Sequence, residues 1–371
     1  MLFTIIIFII VLAILVLAHE IGHYLTALKF GCKVEEFGIG FPPRIKKWKS
    51  KKSGIDYSLN WIPLGGFVKI KGEDGESRED PDSFGSKPVW QRAIILSAGV
   101  LMNIVLAVIL LSIGFGFGLP TALPDDLSKL GQAKVREAQT QIYLVSENSA
   151  AARAGIQIGD VILSIDGQEF DDLVEIQNYL ASQENQEVNL LISRAGSETE
   201  VLVTPEYWEE IKQAGIGVGL VRTGLVSYPW YLSLFKGLEA TWTLLVTILV
   251  AFYTIIKNLI IGLPTGVEVA GPVGIAVLTG QVARMGFVYI LQFTALLSIN
   301  LAIINFIPFP ALDGGRVLFL IIEKIRRRPV NQKIENLVHN MGFLLLMALI
   351  IFITYRDVIK WGGGLWQRII G

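Results

Sequence analysis

The amino-acid sequence predicts an α-helical polytopic membrane protein. It has about four transmembrane helices, a membrane-associated β-loop and an inserted extracytoplasmic α+β domain. Three observations predict this. The 371 residues are 52% hydrophobic and only 18% charged, with a mean hydropathy of +0.54, which is too apolar for an ordinary soluble protein. Four apolar runs approach or exceed the ~20 residues that a bilayer core requires. Between the second and third runs lies a soluble stretch, Val135 to Pro205, where Val161, Leu163 and Ile165 alternate before an Asp166-Gly167 turn.

Taken in order, residues 1–28 form the first span, from Leu2 to Leu28. The apolar run lacks a basic leading segment and a small-x-small cleavage site, so it reads as a retained helix rather than a signal peptide. Residues 29–88 read as β structure: Val34, Phe37 and Ile39 in one piece, then Asp56 to Asn60 and Gly66 to Lys71 around Ile62-Pro63-Leu64-Gly65-Gly66. This loop is unusually apolar. Non-helical backbone reaches membrane depth only where protein or a wet cavity satisfies its polar groups. The Gly72-to-Asp82 stretch reads as a solvated loop. Residues 89–119 are the second span, long enough for part of it to lie in the interface, and 120–222 are the inserted domain. Within it Asp172 to Ala181 reads as a helix and Glu187 to Ile192 as a strand.

Residues 223–286 follow, and within them Trp242 to Ile261 is apolar but striped. Lys236, Glu239, Thr243, Thr247, Thr254 and Asn258 recur at mostly helical spacing, as in an amphipathic helix on or against the membrane. Residues 287–316 carry the third span, 317–336 a basic loop, 337–356 the fourth span and 357–371 a tail. Cationic runs at Arg44 to Lys52 and Lys324 to Lys333 flank spans one and three and assign those ends to the cytoplasm. Four crossings satisfy that alternation and put residues 120–222 outside. A crossing by 242–261 breaks it.

The chemistry is concentrated in His19-Glu20-Ile21-Gly22-His23, at the end of span one. A helix places i and i+4 on one face, so His19 and His23 can reach one ion. Zinc accepts imidazole, and a catalytic site takes three protein ligands and keeps an open position. Glu20 stands beside the first ligand, where a general base belongs. Charged groups at membrane depth are costly and mark function. Cys32 is the only cysteine, which excludes a thiolate cluster and an internal disulfide. His339, the remaining histidine, reads as a polar residue near a helix end. Asp313, in Asn305-Phe306-Ile307-Pro308-Phe309-Pro310-Ala311-Leu312-Asp313-Gly314-Gly315, is the candidate third ligand. The competing reading makes it the cap of a helix beginning near Gly314.

Together, the HExxH of span one and the NFIPFPALDGG segment resemble the site-2 protease family of intramembrane zinc metalloproteases. The Phe37-Gly38-Ile39-Gly40-Phe41 stretch, the Ile62 to Phe67 turn and a segment resembling a PDZ domain are similar to its bacterial RseP-type branch. The resemblance covers nearly the whole length. It implies one catalytic Zn2+ held by His19, His23 and Asp313, with Glu20 as general base. It further implies that Asn305, with Pro308 and Pro310 shaping its loop, engages the substrate backbone, and that Gly38, Ile39, Gly40 and Phe41 belong to a β-loop that grips substrate. There is room for a single PDZ domain, whereas enterobacterial members carry two.

The expected activity is hydrolysis of peptide bonds in transmembrane segments of single-span proteins, such as a pre-trimmed anti-sigma factor, or of signal-peptide remnants. The expected setting is a bacterial inner membrane, with the lipid bilayer and those substrates as partners, peptide contact at the PDZ domain and no nucleic acid. Two other classes compete: a membrane-anchored PDZ adaptor with a vestigial metal site, and a zinc-dependent transporter. Glu20 speaks against the first and the sparseness of other intramembrane acids against the second.

Overall fold

A computed structural model describes residues 2–73, 75, 79–124, 126–146, 148–170, 172–194, 196–209, 212–263 and 270–370. The side chains of Leu2, Phe41, Pro63, Leu64 and 361–370 lie outside that description, and so does the expectation placed on Phe41. The chain divides into two units: Met1–Ile113 with Leu234–Gly371, and Gly114–Ser233.

The first unit is mostly helical. Helix α1 spans Leu2–Lys29, and strands β1 (Val34–Lys49) and β2 (Asp56–Ile70) follow it. Helix α2 (Val89–Phe117) then runs into the second unit, which contains β3 (Leu119–Ala122), β4 (Lys134–Val145), α3 (Ala150–Arg153), β5 (Val161–Ile165), α4 (Leu173–Ser182), β6 (Val188–Arg194), β7 (Ser197–Val203), β8 (Glu206–Trp208), β9 (Gln213–Gly215) and β10 (Val218–Ser227). The first unit resumes with α5 (Trp230–Ile261), α6 (Pro272–Met285), α7 (Phe287–Phe306), α8 (Asp313–Arg326) and α9 (Gln332–Ile370). Among the described residues, α1, α2, α5, α7 and α9 are long and apolar enough to cross a membrane.

Helix α7 stops at Phe306, short of the sequence expectation, because Pro308 and Pro310 cannot continue the ladder. The stretch read as a basic loop begins helically as α8, whose Val317 and Leu320 pack into a core with Ile95 and Leu96 of α2. Residues read as a tail continue α9. Helix α5 is continuous over 32 residues, longer than the amphipathic segment read from sequence. Its Thr243 and Thr254 donate to carbonyls one turn back, which satisfies their hydroxyls within the helix. Helices α1 and α2 touch backbone to backbone: a Cβ on Gly22 would lie 2.3 Å from the Ala98 carbonyl oxygen. Small residues permit this approach in spans.

The two β-strands fold back on themselves into four ribbons. Val34 to Ile39 pairs on one side with Gly66 to Ile70 and on the other, from Glu36 onward, with Asp56 to Leu59. Arg44 to Lys49 pairs with the outer side of Asp56 to Asn60. The ribbon order is therefore 66–70, 34–39, 56–60, 44–49, with the 34–39 ribbon internal. Gly40 has φ +79°, and a Cβ there would meet the Ile62 carbonyl oxygen at 2.5 Å, so only glycine suits this bend. The sheet runs back alongside α1: Phe37 packs edge-on to Tyr24, and a Cβ on Gly66 would lie 3.5 Å from both Glu20 and Val16.

The second unit is a six-stranded antiparallel sheet in the order β3-β10-β4-β5-β6-β7, with β8–β9 as a separate hairpin. The fully buried Ile142, Ile165, Ile176, Leu190 and Ile192 form its core. Asp172 caps α4 by accepting from the Val174 amide. Arg194 grips the buried Asp160 through two nitrogens at 2.8 and 2.7 Å. Burial pushes the Asp160 carboxyl up, but Arg194 and the Gln157 amide outweigh it and hold its pKa below the ordinary value. The stabilisation is thus complete above the unfolded carboxyl's pKa of ~3.9 and is lost as pH falls through the lower folded value. Asp160→Asn should lower this unit's stability by ~1–3 kcal/mol at pH 7 and flatten its dependence on acid. Hydrogen exchange of residues 114–233 in the intact chain, compared between pH 7 and pH 3, checks this.

Candidate metal centre

Helix α1 presents His19 and His23 on one face, and their Nε2 atoms stand 3.1 Å apart. Asp313 Oδ2 lies 3.0 Å from His19 Nε2 and 3.4 Å from His23 Nε2. The carboxylate does not act as a helix cap. The N-cap of α8 is Leu312, and no side chain bonds there. Backbone crowding holds the loop in place, because a Cβ on Gly314 would lie 2.3 Å from the Phe306 carbonyl oxygen and one on Gly315 2.2 Å from that of Phe309.

The donor set fits zinc. Four ligands at ~2.0–2.1 Å in a tetrahedron stand about 3.3 Å apart, and the three separations observed here bracket that value. His23 Nδ1–H donates to the Ile95 carbonyl of α2 at 2.8 Å. That fixes the tautomer and leaves the Nε2 lone pair pointing toward His19 and Asp313. On the other ring, the Asn103 amide lies 3.5 Å from His19 Nδ1, and its Oδ1 is buried without a partner among the described residues. Turned end for end, that amide accepts the Nδ1 proton and frees His19 Nε2 for a metal.

Two cavities reach these groups. One, of about 500 Å3, is bounded by Val16, Glu20, Gly65, Gly66, Leu301 and Asn305 together with His19 and Asp313. The other, of about 210 Å3, adjoins both histidines and Glu20 and ends at Glu73 and Arg316, which form an ion pair. Glu20 lines both cavities. Asn305 lines the first. Pro308 is exposed and Pro310 half-buried, and neither lines either cavity. Gly38, Ile39 and Gly40 also lie off the cavity walls, Gly38 beneath the Phe67 ring. The glycines at the larger cavity are Gly65 and Gly66.

Sequence reading missed the contribution of α2. Gly99 faces the site so closely that a Cβ would lie 2.4 Å from His23 Nε2 and 2.6 Å from His19 Cε1. Gly99→Ala should therefore displace the imidazoles and lower bound zinc by at least about tenfold, on the scale of a lost supporting contact. Metal analysis of the purified variant reads this directly. The available signal was Asn103 itself, the one amide in the run from Ile94 to Phe117, whose only other polar side chains are Ser97 and Ser112.

The model of peptidase family M50 matches residues 7–349 of this chain. The chain belongs to peptidase family M50. It is 31% identical to the regulator of sigma-W protease RasP of Bacillus subtilis, covering 96% of this chain and 98% of that relative. It is 30% identical to the zinc metalloprotease RasP of Geobacillus kaustophilus, with the same two coverages. The PDZ domain of an SdrC-like protein from Listeria innocua is 24% identical and covers 22% of this chain and 92% of itself, with a TM-score of 0.21.

Proposed function

We propose that this M50 member cuts peptide bonds inside the membrane-spanning segments of single-span proteins, with His19, His23 and Asp313 as zinc ligands and Glu20 as general base. The chain is a zinc metalloendopeptidase and a membrane protein. The observation that carries the finer reading is the meeting of Asp313, some 290 residues downstream, with both imidazoles of a span helix, beside a cavity lined by Glu20. Bound zinc supplies Lewis acidity, which polarises a carbonyl and lets water ionise near neutral pH. Glu20 takes the proton from the attacking water and returns it to the leaving amine. Asn305, across the larger cavity, donates to the substrate backbone.

A peptide bond in a helix is shielded by its own hydrogen bonds, so substrate must be held extended. The outer side of Gly66 to Val68 carries no neighbouring strand among the described residues and lies beside Glu20, and we assign strand addition to that edge. Here Gly38 and Ile39 act one ribbon behind, supporting the edge. The alternating cationic runs support a cytoplasmic metal site, an extracytoplasmic second unit and α5 at the membrane surface rather than across it. We read the second unit as a single PDZ domain, where Val218 to Val221 pair, among the described residues, with β4 alone and can accept peptide. The sigma-W regulatory role in the name of the Bacillus relative favours an anti-sigma factor over signal-peptide remnants as substrate.

The test is reconstitution of the full chain in liposomes with a single-span substrate, followed by mass spectrometry of the products. Zinc-dependent cuts within the apolar segment are expected. Cuts confined to the flanking polar segments would refute the intramembrane reading.

A further inference from the structure

His339, on α9, accepts the Ala311 amide N–H through Nδ1 at 2.9 Å. An accepting Nδ1 places the ring proton on Nε2, which is buried and has no partner among the described residues. Ala311 has φ +79°, a left-handed conformation that a residue with a Cβ adopts only under constraint. One turn along the same face of α9 is Gly342, where a Cβ would lie 2.4 Å from Pro310 Cβ and 2.6 Å from its carbonyl oxygen. Helix α9 thus holds Pro310 and Ala311 at two adjoining points. Phe319 of α8 packs on the His339 ring at 5.4 Å between centroids. Ala311 lines both cavities and stands two residues before Asp313.

We propose that His339 is a positioning residue for the metal centre. By accepting the Ala311 amide, it holds the left-handed bend that aims the Asp313 carboxylate at His19 and His23. Helix α9, the last of the long apolar helices, thereby takes part in metal binding without touching the metal. This inference rests on Asp313 being a zinc ligand. The loop's own bonds, from the Phe309 amide to Ile307 and from the Leu312 amide to Phe309, bracket the bend but leave the Ala311 amide to His339. Without that acceptor the N–H of the exposed Ala311 turns to water, nothing holds the left-handed backbone, and the bend relaxes toward right-handed geometry, which turns the following carboxylate.

The experiment measures zinc affinity of the full-length chain in detergent against a competing chelator, alongside thermal unfolding and hydrolysis. His339→Leu should weaken zinc binding by about tenfold or more and lower kcat/KM with it. His339→Asn, whose Oδ1 can take the place of Nδ1, should stay within about threefold of wild type. Adding Ala311→Gly to His339→Leu should recover affinity, because glycine takes the left-handed bend unaided. Wild-type affinity in His339→Leu would overturn the proposal. So would His339→Asn binding zinc as weakly as His339→Leu, which would assign the effect to ring packing. Should His339→Leu fail to fold, the asparagine variant decides alone: retained affinity supports the proposal, and lost affinity refutes it. Asp313→Ala is the control. If it binds zinc like wild type, the ligand assignment itself fails; if it loses zinc while His339→Leu does not, only the role of His339 fails.

Discussion

Glu20→Gln should abolish measurable hydrolysis, lowering kcat by about 10^3-fold or more, while zinc content stays at one ion per chain. The loss is at the upper part of the range for removing a positioned general acid–base, because the proposed mechanism routes both proton transfers through this carboxylate. Glu20 lines both cavities but is outside the cluster formed by His19, His23 and Asp313. Its amide analogue keeps the shape and loses only the proton chemistry. Steady-state cleavage of a single-span substrate, with metal analysis of the same preparation, reads both halves. Undiminished cleavage would remove Glu20 from the mechanism, and joint loss of metal and activity would make it a ligand instead.

Asp313→Ala should weaken zinc binding by at least about 100-fold, beyond the range seen when only a supporting contact is lost. It removes an oxygen at 3.0 and 3.4 Å from the two imidazole nitrogens and leaves a two-nitrogen site. Activity should fall with the metal and return in part at high zinc concentration, a rescue that Glu20→Gln should not show. Competition with a chelator measures the first effect, and a zinc titration of activity measures the second.

The local half of this site was legible in the sequence. His19, Glu20 and His23 lie within one helical turn, so their spacing alone brings them together. Asp313 was reachable by its apolar setting, although a cap remained an open reading until the structure placed its oxygen against the imidazoles. The remainder comes from tertiary approach that leaves no local pattern. Gly99 matters because α2 touches α1 at Gly22. Asn103 matters because α2 turns that one amide toward His19. Gly65 and Gly66 reach the cavity because the 66–70 ribbon, last in the chain, and not the 34–39 ribbon is the outer edge on that side. Alternation predicts strands but not the order in which ribbons pair. His339 was visible only as a lone polar residue, since its partner is a backbone amide in a different segment.

Helix boundaries shifted for similarly physical reasons. Pro308 and Pro310 end α7 early. Helix α6 opens at Gly271 and Pro272 with the Gly274 amide donating to the buried Asp357 of α9 at 2.8 Å, a cap supplied from 83 residues away. A window of neighbouring residues does not contain that partner.

The most direct test of the central claim is zinc K-edge absorption spectroscopy on the purified full-length chain, repeated on Asp313→Ala. Two imidazole shells with oxygen neighbours and no sulfur, with one oxygen lost or the metal gone in the variant, are expected. A sulfur shell, a single imidazole, or a spectrum unchanged by Asp313→Ala would contradict a centre built from His19, His23 and Asp313.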